Sequence, residues 1–437
     1  MKRRRFVKTL SAATVGFAAQ RSPLVILGGR PSEKVVVAIM GLNGRGTVLG
    51  KVFAKTPNTT VAYVCDVDSQ VLTKAAAAVS ESQTSRPKPL ADFRRALDDK
   101  AVDALVVAAP DHWHAPATIL ALSAGKHVYV EKPCGHNPRE GELLVEAQRK
   151  YKRVVQMGTQ QRSAPRSIEI IQSIKEGAIG QPYLARAWYA NSRGTIGHGK
   201  TAPVPANLDY ELWQGPAPHV PYRDNVIHYN WHWFRRWGTG EICNNGTHEI
   251  DVARWVLGVD LPTRVTSGGG RYHFQDDWEL TDTQEASFEF SGGKTIIWQG
   301  QSCNALALYG RGRGTAILGT AGSAVMDRDG YVVYDLKNNV VRQSLAPQAG
   351  DGLNISGDDE MTALHIGNFV DAVRTGTALH QPIEEGAKSV LLCHLGNIAQ
   401  WTRRALRVDP QTGHVVGDEE AMTFWQREYA PGWAPVV

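Results

Sequence analysis

A chain of 437 residues is long enough for two domains with sizeable cores. Its net charge of +5 traces to the first eight residues, where Lys2, Arg3, Arg4, Arg5 and Lys8 stand without an acid, and the near-neutral remainder carries no basic stripe for nucleic acid. Cys65, Cys134, Cys243, Cys303 and Cys393 are scattered, odd in number and without a CxxC pair, which argues against a zinc ribbon or a disulfide framework and for free, mostly buried thiols.

The N-terminus reads KRRRFVKTLSAATVGFAAQ. A charged start precedes a short, weakly apolar stretch, with small residues for cleavage near Ala18 or Ala19. Arg3-Arg4-x-Phe6-Val7-Lys8 resembles a twin-arginine export signal. Residues 1–32 are therefore expected to be signal and linker, and the protein to be periplasmic or otherwise exported. The apolar stretch is too short to span a bilayer as a helix, so no membrane span is expected in the mature chain.

Residues 35–46 read VVVAIMGLNGRG, a β-branched run that breaks into Gly41, Gly44 and Gly46. A buried strand, a glycine turn and a helix N-terminus together receive a dinucleotide pyrophosphate. Asn43 replaces the middle glycine of the usual pattern and tolerates positive φ, so the turn is kept. The next strand, 60–65, ends at Asp66, twenty residues after Gly46. An acid there binds adenosine ribose hydroxyls and favours NAD over NADP, whose 2′-phosphate it repels. Helix 71–80 and short helix 93–97 lead to strand 104–108, which ends in Pro110-Asp111-His112-Trp113-His114. Helix 115–124, strand 127–130 ending in Glu131-Lys132-Pro133, helix 140–151 and strand 154–157 complete a doubly wound parallel sheet over residues 33–160.

From 161 to 437 the pattern changes to a second α/β domain. Helix 167–176 precedes strands at 183–190, 264–272, 284–290, 295–299, 305–309, 324–327 and 331–335, with turn signals at Ser291-Gly292-Gly293 and Asp329-Gly330. This predicts an open, largely antiparallel sheet covered by helices on one face. Helices at 361–374 and 383–406 are expected to pack back on the first domain. The segment 191–236 is rich in Gly, Pro, His and aromatics, and a loop of that length is usually functional.

Ligands of open α/β sheets bind at the carboxyl ends of the strands. Lys132 stands at one such end, where a partly buried lysine can move a substrate proton. His112 and His114 do not share a helix face, so no metal pair is expected. Closing the cofactor pocket suits them better, and either is a candidate to touch substrate. In Gly238-Thr239-Gly240-Glu241-Ile242-Cys243-Asn244-Asn245-Gly246-Thr247-His248-Glu249-Ile250-Asp251, Asn244 and His248 lie four apart on one helix face, with Asp251 placed to support the imidazole. Ahead of it, His228, Trp231 and His232 lie in an aromatic stretch whose apolar faces and polar neighbours suit sugar rings.

Together these segments resemble the glucose-fructose oxidoreductase / inositol dehydrogenase / MocA (Gfo/Idh/MocA) family. The match is strong in PDHWHAPATILALSAGKHVYVEKP, residues 110–133. The resemblance implies a nucleotide-binding domain followed by an α/β domain with an open sheet, an active-site lysine at Lys132, and a catalytic histidine at His248, the last residue of the family's D-x-x-x-H. It also makes a homodimer or homotetramer plausible. Asn244 departs from the Asp of that motif and cannot take up a proton. His248 would then work with Lys132 or a group such as Glu241. The expected cofactor set is Gly41, Asn43, Gly44, Arg45, Gly46, Asp66, Pro110, His114, Glu131 and Lys132. The expected substrate set is His228, Trp231, His232, Asn244 and His248, and no metal is expected. Three functions compete: an exported NAD-dependent oxidoreductase acting on a sugar or cyclitol with a retained, internally recycled cofactor; a glycosidase that uses NAD without net consumption; and a periplasmic sugar-binding protein without catalysis.

Overall fold

The computed structural model describes residues 34–346 and 360–437. The expected export signal lies outside the described residues. The first sheet follows from alternation of apolar strands and amphipathic helices: β1 (Val35–Met40), α1 (Arg45–Lys55), β2 (Thr59–Cys65), α2 (Ser69–Ser80), β3 (Lys88–Leu90), α3 (Arg94–Leu97), β4 (Ala104–Val107), α4 (Asp111–Ser123), β5 (His127–Val130), α5 (Pro138–Tyr151) and β6 (Val155–Met157). All pairings are parallel, in the order β3-β2-β1-β4-β5-β6. The order reverses between β1 and β4, and a crevice opens there at the strands' carboxyl ends. Strands covered on both faces read as continuous apolar runs, and ALVV of β4 is wholly buried.

The remaining elements are α6 (Pro165–Lys175), β7 (Pro182–Ser192), α7 (Tyr210–Gln214), α8 (Thr247–Leu257), β8 (Arg264–Gly270), β9 (Thr283–Phe290), β10 (Lys294–Gln301), β11 (Cys303–Asn304), β12 (Arg313–Gly319), β13 (Ser323–Met326), β14 (Gly330–Tyr334), β15 (Val340–Leu345), α9 (Glu360–Thr375), α10 (Ile383–Thr402), β16 (Leu406–Arg407) and α11 (Glu419–Thr423). The second sheet runs β15-β14-β13-β12-β7-β10-β9-β8-β16, with β11 on β7. It is antiparallel except where β10 meets β7. Alternating burial along β9 marks one face as core, where Phe288, Ile296 and Trp298 pack with Ile250 and Ala253 of α8 and Leu392 of α10. The C-terminal helices return to the first sheet on opposite faces. Ile366, Phe369 and Val370 of α9 join the β1–α1–α2 side, and Ile383 and Val390 of α10 join the α4–α5 side.

Several boundaries differ from the sequence expectation. Residues 305–309 are not a strand: Leu306 is 68% and Tyr309 54% exposed in a loop bridged by Leu308 and Arg311. The strand of that region is β12, whose glycine-flanked RGTAILG fills the slot between β7 and β13. Two edge strands also arise where no alternation announced them: β3, which contains a proline, and the exposed β15. Helix α4 begins at Asp111, not at 115, so PDHWH is its cap and first turn. All five cysteines are free, four of them buried. No helix among the described residues is long and apolar enough to cross a membrane.

Candidate active site

One cleft of about 1490 Å³ runs from the glycine turn, along the carboxyl ends of β1, β2, β4 and β5, to the first turn of α8 and the β12 end of the second sheet. Its volume exceeds the usual range for a single small ligand.

At the β1 end, Gly41 and Gly44 carry φ of 81° and 83°. Asn43 does not need the left-handed region assigned to it from sequence; the extra glycine, Gly44, takes that role. A Cβ on Gly41 would stand 2.5 Å from the Ala109 nitrogen, so the turn lies flat on the β4–α4 junction. Gly44 is the N-cap of α1, with no side-chain cap and no acid in the first turn. The first amides of α1 are thus left to whatever fills the cleft. Asn43, Gly44 and Arg45 line it. Gly46 does not: it packs against the Gly41 carbonyl, and its lack of a side chain is what permits that approach.

Asp66 also lines the cleft. It accepts from the Leu42 amide (2.6 Å) and the Asp68 amide (2.9 Å), which pins the β2 end to the glycine turn. Each carboxylate oxygen keeps acceptor capacity for a further donor. Burial pushes its carboxyl above the ordinary value, partly offset by those amides. Arg45 Nε donates to Glu131 (2.9 Å), and Gln160 donates to the same oxygen (3.0 Å). The glycine turn and the β5 end are therefore joined by an ion pair. Burial would raise the Glu131 carboxyl, but Arg45 and Lys132 outweigh it and hold it below its usual value.

His114 and Pro110 reach the cleft wall, yet the His114 ring is engaged elsewhere. Its Nδ1 lies 2.6 Å from the Pro133 carbonyl and its Nε2 2.7 Å from the Ala109 carbonyl. It braces the turns before α4 and after Lys132 and has no ring nitrogen left for a cofactor. His112 points to the Trp213 carbonyl (3.0 Å), does not line the cleft, and is driven down to about 3 by burial and by Arg427.

At the far end, Lys132 Nζ donates to the Asn244 carbonyl (2.8 Å) and to Asn244 Oδ1 (3.0 Å). Burial lowers the Lys132 ammonium below its ordinary value, against the pull of Glu131, Asp111 and Glu241. Asn244 sits in a π-helical turn, Ile242–Gly246, that runs directly into α8. Asn244 and His248, four residues apart across this junction, both reach the cleft. His248 is 7% exposed, and its ring makes no hydrogen bond among the described residues. Burial, reinforced by Arg328, Lys132, Arg313 and Arg45, drives the imidazolium well below its usual range, so the ring is neutral. Asp251 does not support it. That carboxylate is instead clamped by Arg162 (2.8 and 2.9 Å), Ser389 (2.6 Å) and Gln381 (3.0 Å).

His228, Trp231 and His232 all line the cleft. His228 Nε2 is held by Asp68 (2.9 Å), and His232 Nδ1 lies 2.7 Å from the Tyr229 carbonyl. The His232 ring stacks on Trp231 at 3.6 Å, so one face of the indole is already covered. Burial lowers His232 to about 3. Sequence reasoning missed Arg193, Asn245 and Arg313 in the same wall. Arg193 pairs with Glu241 and Arg313 with Glu249, and no local pattern marks either pair because the partners lie 48 and 64 residues apart.

Comparison with known proteins bears on this cleft. The profile described as "Oxidoreductase family, NAD-binding Rossmann fold" (GFO_IDH_MocA) matches residues 35–159, and that described as "Oxidoreductase family, C-terminal alpha/beta domain" (GFO_IDH_MocA_C2) matches residues 186–332. The chain is 25% identical over 301 residues to the uncharacterized oxidoreductase YrbE of Bacillus subtilis, covering 68% of this chain and 74% of that one. It is 28% identical over 173 residues to a glycosyl hydrolase family 109 protein of Saccharopolyspora erythraea (39% and 38% covered). It is 29% identical over 163 residues to an inositol 2-dehydrogenase of Rubrobacter xylanophilus (37% and 45% covered). The last two matches thus span less than half of those relatives. Among solved structures, levoglucosan dehydrogenase in complex with NADH and levoglucosan shares the fold at a TM-score of 0.67 and 18% identity, over 86% of this chain and 99% of that one. With one profile on each sheet and the glycine turn, Asp66 and Lys132 at the strand ends between them, the chain belongs to the Gfo/Idh/MocA family of NAD-binding oxidoreductases.

Proposed function

We propose that this protein transfers hydride between NAD and a CH–OH group of a sugar or cyclitol. The observation that carries the reading is the meeting of Lys132 with Asn244, beside His248, at one end of a cleft whose other end is the glycine turn. NAD fits the residues present. No atom lies within 4 Å of where a Gly44 Cβ would stand, which leaves a cradle open at the start of α1. The amides of that first turn suit the pyrophosphate, Asp66 the ribose hydroxyls, and the Glu131–Lys132 turn the nicotinamide end. When bound, NAD supplies the hydride acceptor or donor.

The chain's own residues handle the proton. Burial eases loss of the ammonium proton, and in its neutral form Lys132 can accept the hydroxyl proton. Neutral His248 offers the same hydroxyl either a donor or an acceptor nitrogen, according to its tautomer. The cations around it favour the negative charge that develops on oxygen as its proton departs. Asn244 can orient Lys132 but takes up no proton. Trp231 and His232 offer an apolar wall to a sugar ring.

Export by the twin-arginine route, which carries folded proteins, fits an enzyme that keeps its NAD and regenerates it with a second sugar. Mass spectrometry of nucleotide released from denatured protein, with a panel of sugars and cyclitols assayed for NADH, tests the reading. Absence of nucleotide together with no binding of added NAD would overturn it. Asn244 in place of the motif's Asp favours a second reading, a glycosidase that uses NAD without net consumption, in line with the name of the S. erythraea relative. Nitrophenyl glycosides separate the two: aglycone release without net NADH supports hydrolysis, and net NADH from free sugars supports dehydrogenation.

A further inference from the structure

We propose that Glu241, which lies behind the cleft wall, is a positioning residue for Lys132 that acts through the amide of Asn244. The inference rests on the reading of Lys132 as the proton-transfer group. Glu241 is 5% exposed, and a carboxylate so buried needs its lone pairs filled. One oxygen accepts from Arg193 Nε (2.8 Å) and Ser302 Oγ (2.9 Å). The other accepts from the side-chain amides of Asn245 (2.5 Å) and Asn244 (3.4 Å).

The last contact sets the geometry. An asparagine amide has a donor end and an acceptor end. Glu241 can only accept, and the Lys132 ammonium can only donate. A single orientation satisfies both, with the Asn244 nitrogen toward Glu241 and its oxygen toward Lys132. Reversed, the amide would present its hydrogens to the ammonium and leave the lysine one acceptor short. With Asn244 fixed, two of the lysine's three N–H directions are taken by its carbonyl and Oδ1, and the third is free for the cleft. Glu241 also adds to the negative field on Lys132, together with Glu131 and Asp111 and against Arg328. The neutral His232 and His248 also face it, and the His114 ring lies beside the next residue, against the Pro133 carbonyl.

The test uses the NAD-loaded full chain. Competitive trace labelling with acetic anhydride across pH, read by mass spectrometry on the Lys132 peptide, gives the lysine's titration midpoint without need of turnover. Glu241→Gln is expected to lower that midpoint by at least about 0.5 pH unit. It should also cut kcat about tenfold or more, with KM for NAD unchanged. Glu241→Asp keeps the charge but withdraws it by one methylene, so it should move the midpoint in the same direction by less. It decides the matter if the Gln variant does not fold. A midpoint equal to the parent's in a variant that melts like the parent overturns the proposal. If the parent turns over no sugar or cyclitol, the dehydrogenase reading falls, while the labelling midpoints still decide whether Glu241 acts on Lys132.

Discussion

Gly46→Ala is the sharpest probe of the glycine turn. The added Cβ would lie 2.8 Å from the Gly41 carbonyl carbon and closer still to its oxygen. Separations under 3.0 Å are essentially never seen for real Cβ atoms. The obstacle is backbone, so no side-chain rotation relieves it. Gly41 cannot retreat either, because it lies flat against Ala108 and Ala109. Overpacking of this kind costs about 1–3 kcal/mol, and the absence of slack puts this site at the upper end. If the turn keeps its shape only when NAD is bound, the whole cost appears as lost affinity, on the order of 100-fold. If it is rigid in both states, the cost appears as a melting temperature lowered by a few degrees. Titrating NADH against tryptophan fluorescence, with a thermal melt in parallel, reads both. Gly367→Ala is the control: Gly367 lies within α9, nothing stands within 4 Å of its missing Cβ, and the change should be neutral or stabilise by about 0.5–1 kcal/mol. A Gly46→Ala protein with parental affinity and parental melting would refute the account of the turn.

Lys132→Met should lower kcat by about 10²- to 10⁴-fold while NAD affinity, measured by calorimetry, stays within about threefold; retained turnover would remove the lysine from the mechanism. Asn244→Asp places a carboxylate at the lysine, favours its charged form, and should move the acidic limb of kcat/KM for NAD-dependent oxidation, where the base must be deprotonated, to higher pH by about one unit or more. An unmoved limb would show that another group titrates there. Arg162→Met strands the buried Asp251 and should cost about 3–5 kcal/mol at neutral pH. Burial opposes the charge on Asp251, but Arg162, Arg254 and Ser389 hold its carboxyl below the ordinary value. Its stabilising contribution is therefore present above the unfolded-state pKa and disappears as pH falls through the lower, folded-state value. The gap in melting temperature between parent and variant should narrow below about pH 4, and a constant gap would count against the ion pair as its source.

The parallel sheet was legible because its strands are buried on both faces and read as unbroken apolar runs between helices. So was the cleft, since strand ends carrying Gly41, Asp66 and Lys132 converge once the strands are parallel. What escaped was non-local. The run at 305–309 has strand composition, but the glycine-flanked β12 takes the slot between β7 and β13 instead. Asp251 has helical spacing to His248, yet Arg162, 89 residues away, takes its carboxylate instead. His114 sits in a motif facing the cofactor, but two backbone carbonyls occupy its ring. Such outcomes depend on which distant group arrives with the better geometry, and a local pattern does not carry that information.

The π-helical turn at Ile242–Gly246 has a consequence for how such a site is gained or lost. An α-helix advances about 100° per residue. Deleting one residue from this turn would spare Lys132 and His248 and let the backbone settle into an unbroken ladder with α8. It would also swing Asn244 and Glu241 about a quarter-turn away from the lysine. The local helix would become more regular as the site came apart. Chain length, as much as residue identity, is therefore a variable on which this active site depends, and a one-residue gap here would separate working from silent copies even where every motif residue matches.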